Sequence, residues 1–148
     1  FPEHEVRAMG RDAAGVRGIR LGADQEVIAL IVVAEGEVLT ASAAGYGKRT
    51  PIAEFPLQGR GGQGVIALQT SERNGAAVAA LQVLPGQEIM LISSNGTLVR
   101  TGVDEISVLG RNTQGVRLIR LDDGERLVGI ERIEALDGAE ESESPPPA

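Results

Sequence analysis

At 148 residues, with 42% hydrophobic and 2% aromatic residues and 20 glycines, the chain is long enough for one modest domain and leans towards strands and turns. It has no cysteine and a single histidine, His4, which excludes a disulfide framework, a thiolate metal site and histidine clusters for metal binding or acid-base work. The net charge of -7 sits at one end: from Asp122 onward nine acidic residues face only Arg126 and Arg132, so residues 1–121 are neutral with 12 basic and 12 acidic groups.

No apolar run approaches the roughly 20 residues of a membrane span, and no charged-then-apolar leader is present. The lack of cysteine fits a reducing cytoplasm. A start at Phe1, inside a repeat unit, is expected of a fragment of a longer chain.

Taken in order, the chain repeats itself. Gly10-Arg11-Asp12-Ala13-Ala14-Gly15-Val16 returns 49 positions later as Gly59-Arg60-Gly61-Gly62-Gln63-Gly64-Val65, and 51 positions after that as Gly110-Arg111-Asn112-Thr113-Gln114-Gly115-Val116. An acid and an apolar residue precede each copy: Glu5-Val6, Glu54-Phe55 and Glu105-Ile106. A β-rich run follows each, predicting strands over 16–21, 65–68 and 116–121, then a polar turn, then second strands over 27–30, 78–81 and 127–130. The third place of that second strand is small every time (Ala29, Ala80, Gly129), as expected where neighbouring sheets pack closely. Hairpins complete the unit at 38–41 with 46–50 and at 88–92 with 97–100. Ala44-Gly45 and Asn95-Gly96 read as their two-residue turns.

A unit of about 50 residues with four short strands predicts an all-β, propeller-like array rather than a βαβ protein, with about three partial blades over residues 1–133. Residues 134–148 form an acidic tail ending in prolines, too polar to order itself. Such a tail, flexibly tethered to the body, is placed to compete with an anionic ligand for the body's basic residues; the alternative is a solubilising tail.

Three features carry candidate chemistry. Residues 59–64 match the Gly-x-Gly-x-x-Gly dinucleotide fingerprint, but a strand rather than a helix follows, which argues against nucleotide binding. The same loop reads either as an anion cradle, with glycine N–H groups and Arg60 offered to a phosphate, or as a tight connection shaped by its outer glycines. Lys48, Arg49, Arg60, Arg11, Arg17, Arg111 and Arg117 recur at related places, giving a basic stripe for a DNA backbone or a set of solvated charges. Tyr46, the one tyrosine, has no general base placed beside it, so no catalytic residue is assigned.

The segment 45–50 (Gly-Tyr-Gly-Lys-Arg-Thr), the loop 58–64, the turn 70–75 and the 110–116 frame together resemble the family of DNA gyrase A C-terminal domains. The resemblance implies a β-pinwheel, a six-bladed propeller-like disc that wraps duplex DNA on a basic rim. It also implies a place within an A2B2 type II topoisomerase, with the gyrase B protein and a second gyrase A protein as partners. ATP and magnesium would act elsewhere in that cytoplasmic bacterial enzyme; no cofactor or metal is expected in this segment. Of the family's Gln-Arg-Arg-Gly-Gly-Lys-Gly box, Gln58, Arg60, Gly61, Gly62 and Gly64 match, while Gly59 and Gln63 replace basic residues, the expectation for a secondary, weaker box. The alternatives are the related C-terminal domain of topoisomerase IV and a propeller that binds a protein partner.

Overall fold

The structure is a computed structural model that describes residues 1–134; the acidic tail from residue 135 on lies outside the described residues. Among the described residues seven strands form two antiparallel sheets. β1 (Glu37–Ser42) and β2 (Tyr46–Pro51) make a hairpin, β3 (Ala77–Val83) pairs the free edge of β1, and β6 (Val116–Arg117) pairs β2. β4 (Glu88–Ser93) and β5 (Leu98–Gly102) form the second hairpin, joined on the β4 edge by β7 (Leu127–Ile133). The acid-apolar pairs close short 3-10 turns at Glu3–Glu5, Ile52–Glu54 and Val103–Glu105, so this part of the repeat has one conformation in all three units.

The blade is not built from four consecutive strands. The first sheet takes its hairpin from the first unit, β3 from the second and β6 from the third. The register Leu39↔Leu81 and Tyr46↔Arg117 ties residues far apart in sequence, so each unit is held by its neighbours. Both hairpin loops also differ from the two-residue reading. Among the described residues none other than glycine has positive φ, so Asn95 does not adopt the conformation that a type I′ turn needs. Each loop instead closes with a bond three residues back, Gly45 N–H to Ser42 O and Gly96 N–H to Ser93 O, with the glycine alone left-handed.

The core lies between the sheets, which meet along β3 and β7. Leu39, Val83, Ile89, Leu91, Val103 and Leu127 are completely buried there, each contributing about 1.5–3 kcal/mol of apolar burial. Close packing falls on glycines other than those expected. A Cβ on Gly129 would meet nothing nearer than Ile92 Cδ1 at 4.0 Å, whereas one on Gly47 would stand 2.5 Å from Leu118 Cδ1.

The predicted strands at 16–21, 27–30 and 65–68 form no ladder, and 116–121 is a strand only at its first two residues. The reason is topological. Leu81 is paired by Leu39 of the preceding unit's hairpin, and the same register applied to Leu30 falls ahead of Phe1. Leu30 and Val32 are therefore 89% and 88% exposed, and Leu30 borders an open apolar groove that also includes Phe1, Ile19, Leu21 and Val65. No helix among the described residues is long and apolar enough to cross a membrane.

Candidate nucleic-acid interface

The Gly-Arg frame is first of all a latch between units. Arg60 donates from Nη1 to Arg17 O at 2.6 Å, and its counterpart Arg111 donates from Nη1 to Ile66 O at 2.7 Å. Ile66 is the repeat equivalent of Arg17, so this is one bond made twice. The pattern continues on the backbone: Arg20 N–H to Gly62 O at 2.8 Å is matched by Gln69 N–H to Thr113 O at 2.9 Å. Each box thus grips the segment that follows the preceding box.

This geometry decides much of the anion-cradle reading. The Gly61 N–H donates to Gly18 O at 2.8 Å and the Arg60 N–H to Glu5 Oε2 at 2.7 Å, while Arg60 Nε donates to Glu5 O at 3.1 Å. Those donors are satisfied inside the protein. Gln58, Gly62 and Gly64 border the apolar groove. The outer glycine has the backbone role expected of it: Gly15, Gly64 and Gly115 have φ of 84°, 76° and 80°. At Gly115 a Cβ would also lie 2.5 Å from Gly47 O, so the crossing of these two glycines admits no side chain.

Lys48 and Arg49 are not surface charges, which corrects their expected placement on a rim. β2 is an interior strand, and both side chains point into the seam with the third unit. Lys48 is fully buried, and its ammonium donates to Gly110 O (2.7 Å), Arg111 O (2.5 Å), Thr113 O (3.0 Å) and Thr113 Oγ1 (3.0 Å). Burial, then the Arg111 charge, pushes Lys48 down to about 8 against the opposing pull of Glu54. Arg49 pairs with Glu37 at 2.7 Å and donates from Nε to Ile106 O at 2.8 Å.

Arg11, Arg17 and Arg117 are exposed. Arg117 lies with its Cζ 5.6 Å from the centre of the Tyr46 ring and donates from Nη2 to the Tyr46 hydroxyl at 3.1 Å. Arg73, which sequence reasoning passed over as a site residue, sits over the same ring at 5.0 Å and donates from Nε to the same hydroxyl at 3.3 Å. Its signal was present in the 70–75 turn. Buried Asn74 accepts from the Ser71 N–H at 2.7 Å and donates to Gln69 O at 2.8 Å, which fixes the turn and holds Arg73 outward. Among the described residues the ion-paired cations are Arg49 and Arg100, the latter with Glu88. No group of acidic or histidine side chains among them could hold a metal ion.

The fold and the latch define a class: a repeat protein of propeller type whose units exchange strands and whose exposed basic residues are arginines. The chain belongs to the DNA gyrase C-terminal domain, beta-propeller family, whose model matches residues 1–34, 36–84 and 87–134, one match per unit. It is 58% identical over 146 residues to the DNA gyrase A protein of Pseudomonas aeruginosa, covering 98% of this chain and 16% of that protein. Over 134 residues it is 53% identical to the Escherichia coli gyrase A protein, covering 90% of this chain and 15% of that protein. A solved DNA gyrase A C-terminal domain superposes with a TM-score of 0.83 at 26% identity, covering 89% of this chain and 45% of that one. The C-terminal domain of a DNA topoisomerase IV shares the fold, with a TM-score of 0.81 at 22% identity over 89% of this chain and 42% of that one.

Proposed function

We propose that the chain is a DNA-binding and DNA-wrapping segment of a gyrase A protein, supporting ATP-dependent negative supercoiling by a type II topoisomerase whose breakage and ATPase chemistry lies in other parts of the enzyme. The gyrase B protein, a second gyrase A protein, ATP, magnesium and a cytoplasmic, nucleoid-associated setting belong to that same reading. The observation that carries it, beside family membership, is that Arg11, Arg17, Arg73 and Arg117 are exposed with no carboxylate within ion-pairing distance among the described residues. Guanidinium groups in that state suit phosphate oxygens, and the described part of the chain has no helix longer than one short 3-10 turn to enter a groove.

The roles of the site residues divide accordingly. Arg11, Arg17 and Arg117 contact phosphates directly, whereas Lys48, Arg49, Arg60 and Arg111, with Gly61, Gly62 and Gly64, act by fixing one unit against the next, and Gln58 lines the apolar groove. A gel shift at low salt with two duplexes of unrelated sequence tests the reading: equal affinity for both supports it, and no binding to either overturns it.

A further inference from the structure

We propose that Arg73, Tyr46 and Arg117 form a two-guanidinium fork that takes a single backbone phosphate of duplex DNA, with Tyr46 as its positioning residue. This rests on the DNA-binding reading and names one site within it.

Two positive groups share one neutral phenol. Both donate to the same hydroxyl oxygen, at 3.3 and 3.1 Å, and both lie over the same ring, at 5.0 and 5.6 Å. A hydroxyl oxygen has two acceptor lone pairs, so Tyr46 can hold both guanidiniums at once and no more. Neither arginine is ion-paired among the described residues, so two like charges stand together uncompensated. A bound anion relieves that repulsion, and each guanidinium keeps further N–H donors beyond the one spent on the phenol.

The scaffold holds the fork from three sides. Tyr46 is 6% exposed, and its cover includes the two arginines themselves, a thin layer that leaves the fork at the surface. Arg117 lies on β6, directly across the ladder from Tyr46. Arg73 comes from the Asn74-locked turn, which docks on the hairpin tip through the Ala44 N–H to Asn74 O bond at 3.0 Å. The hydrogen bonds from Arg73 and then Arg117 hold the Tyr46 hydroxyl below the ordinary tyrosine range, as expected where positive charge is concentrated. The second hairpin has Thr97 in place of Tyr46, so the fork belongs to one blade rather than to the repeat.

Fluorescence anisotropy with a labelled duplex, over a salt series, tests this on the unchanged chain and on Arg73→Ala, Arg117→Ala, the double variant and Tyr46→Phe. Each arginine variant is expected to lose roughly tenfold in affinity at low salt. If both serve one phosphate, the double variant loses much less than the product of the two, and its log-log salt slope falls by about 0.9, the value of one phosphate contact. Tyr46→Phe keeps both charges, so it is expected to lose affinity with its slope unchanged. Independent multiplicative losses, with a slope change of about twice that value, overturn the fork while leaving DNA binding in place. An Arg73→Ala chain that binds like the parent also overturns it, and because Arg73 is an exposed turn residue that variant decides the matter even if Tyr46→Phe fails to fold. No binding by the unchanged chain removes the DNA reading and the fork with it.

Discussion

Replacing Lys48 by methionine keeps most of the side-chain volume and removes the ammonium from the seam between the first sheet and the third box. Of the oxygens left behind, Gly110 O still accepts from Thr113 Oγ1 at 2.9 Å and Thr113 O from the Gln69 N–H at 2.9 Å. Arg111 O loses the donor that satisfied it. One orphaned carbonyl costs about 1–3 kcal/mol, and loss of the remaining charge-assisted bonds adds to that. Relief of the cost of burying an ammonium works the other way, leaving a net destabilisation of about 2 kcal/mol at pH 7. The pH dependence adds a sign. With the folded-state value near 8 and the ordinary value 10.5, the unfolded chain binds more protons between those limits, so stability from this group rises with pH there. The parent's advantage over Lys48→Met should therefore widen by about 2–3 kcal/mol between pH 7 and pH 10. Urea unfolding of both chains at the two pH values measures this. Equal stability at pH 7, or a gap that narrows on going to pH 10, refutes the reasoning.

Gly115→Ala, forced into left-handed backbone against Gly47 O, should lower stability by about 2–4 kcal/mol in a thermal melt, while Gly10→Ala, with open space around its Cβ, should stay within about 0.5 kcal/mol of the parent. Arg60→Ala removes the latch to Arg17 O and should cost about 1 kcal/mol, with faster hydrogen exchange at the Arg20 amide; unchanged exchange there would show that the latch holds nothing. Residues 27–30 and 78–81 are alike in sequence, yet hydrogen exchange should find the first nearly unprotected and the second, paired in β3, protected to near the global unfolding limit.

What the sequence made legible was whatever depends on local chemistry. Both hairpins, the polar turns and the recurrence of the 3-10 turn follow from alternation, turn residues and the repeat itself. The partner of each strand was not legible, because a period of about 50 residues says that units are alike but not which unit supplies a strand to which sheet. That gap produced the strands expected at 16–21 and 65–68, where the backbone makes single latch bonds instead of a ladder. The candidate site was read in the same way. Basic residues near glycines, as Arg60 and Lys48 are, suit phosphates, but they suit carbonyl oxygens at a crowded seam equally well, and which oxygens lie within reach is set by the fold. Arg73 escaped notice because its partner, Tyr46, lies 27 positions away.

The most direct measurement is the affinity of the chain for one duplex across a salt series, made in parallel on the parent, on Arg17→Ala and on Arg60→Ala. The expected result is a linear fall of log affinity with log salt, a slope smaller by about 0.9 for Arg17→Ala, and a slope for Arg60→Ala equal to the parent's. A salt-independent affinity, or a slope lost at Arg60 and kept at Arg17, would contradict the assignment of exposed arginines to DNA and of the Gly-Arg frame to the joint between units.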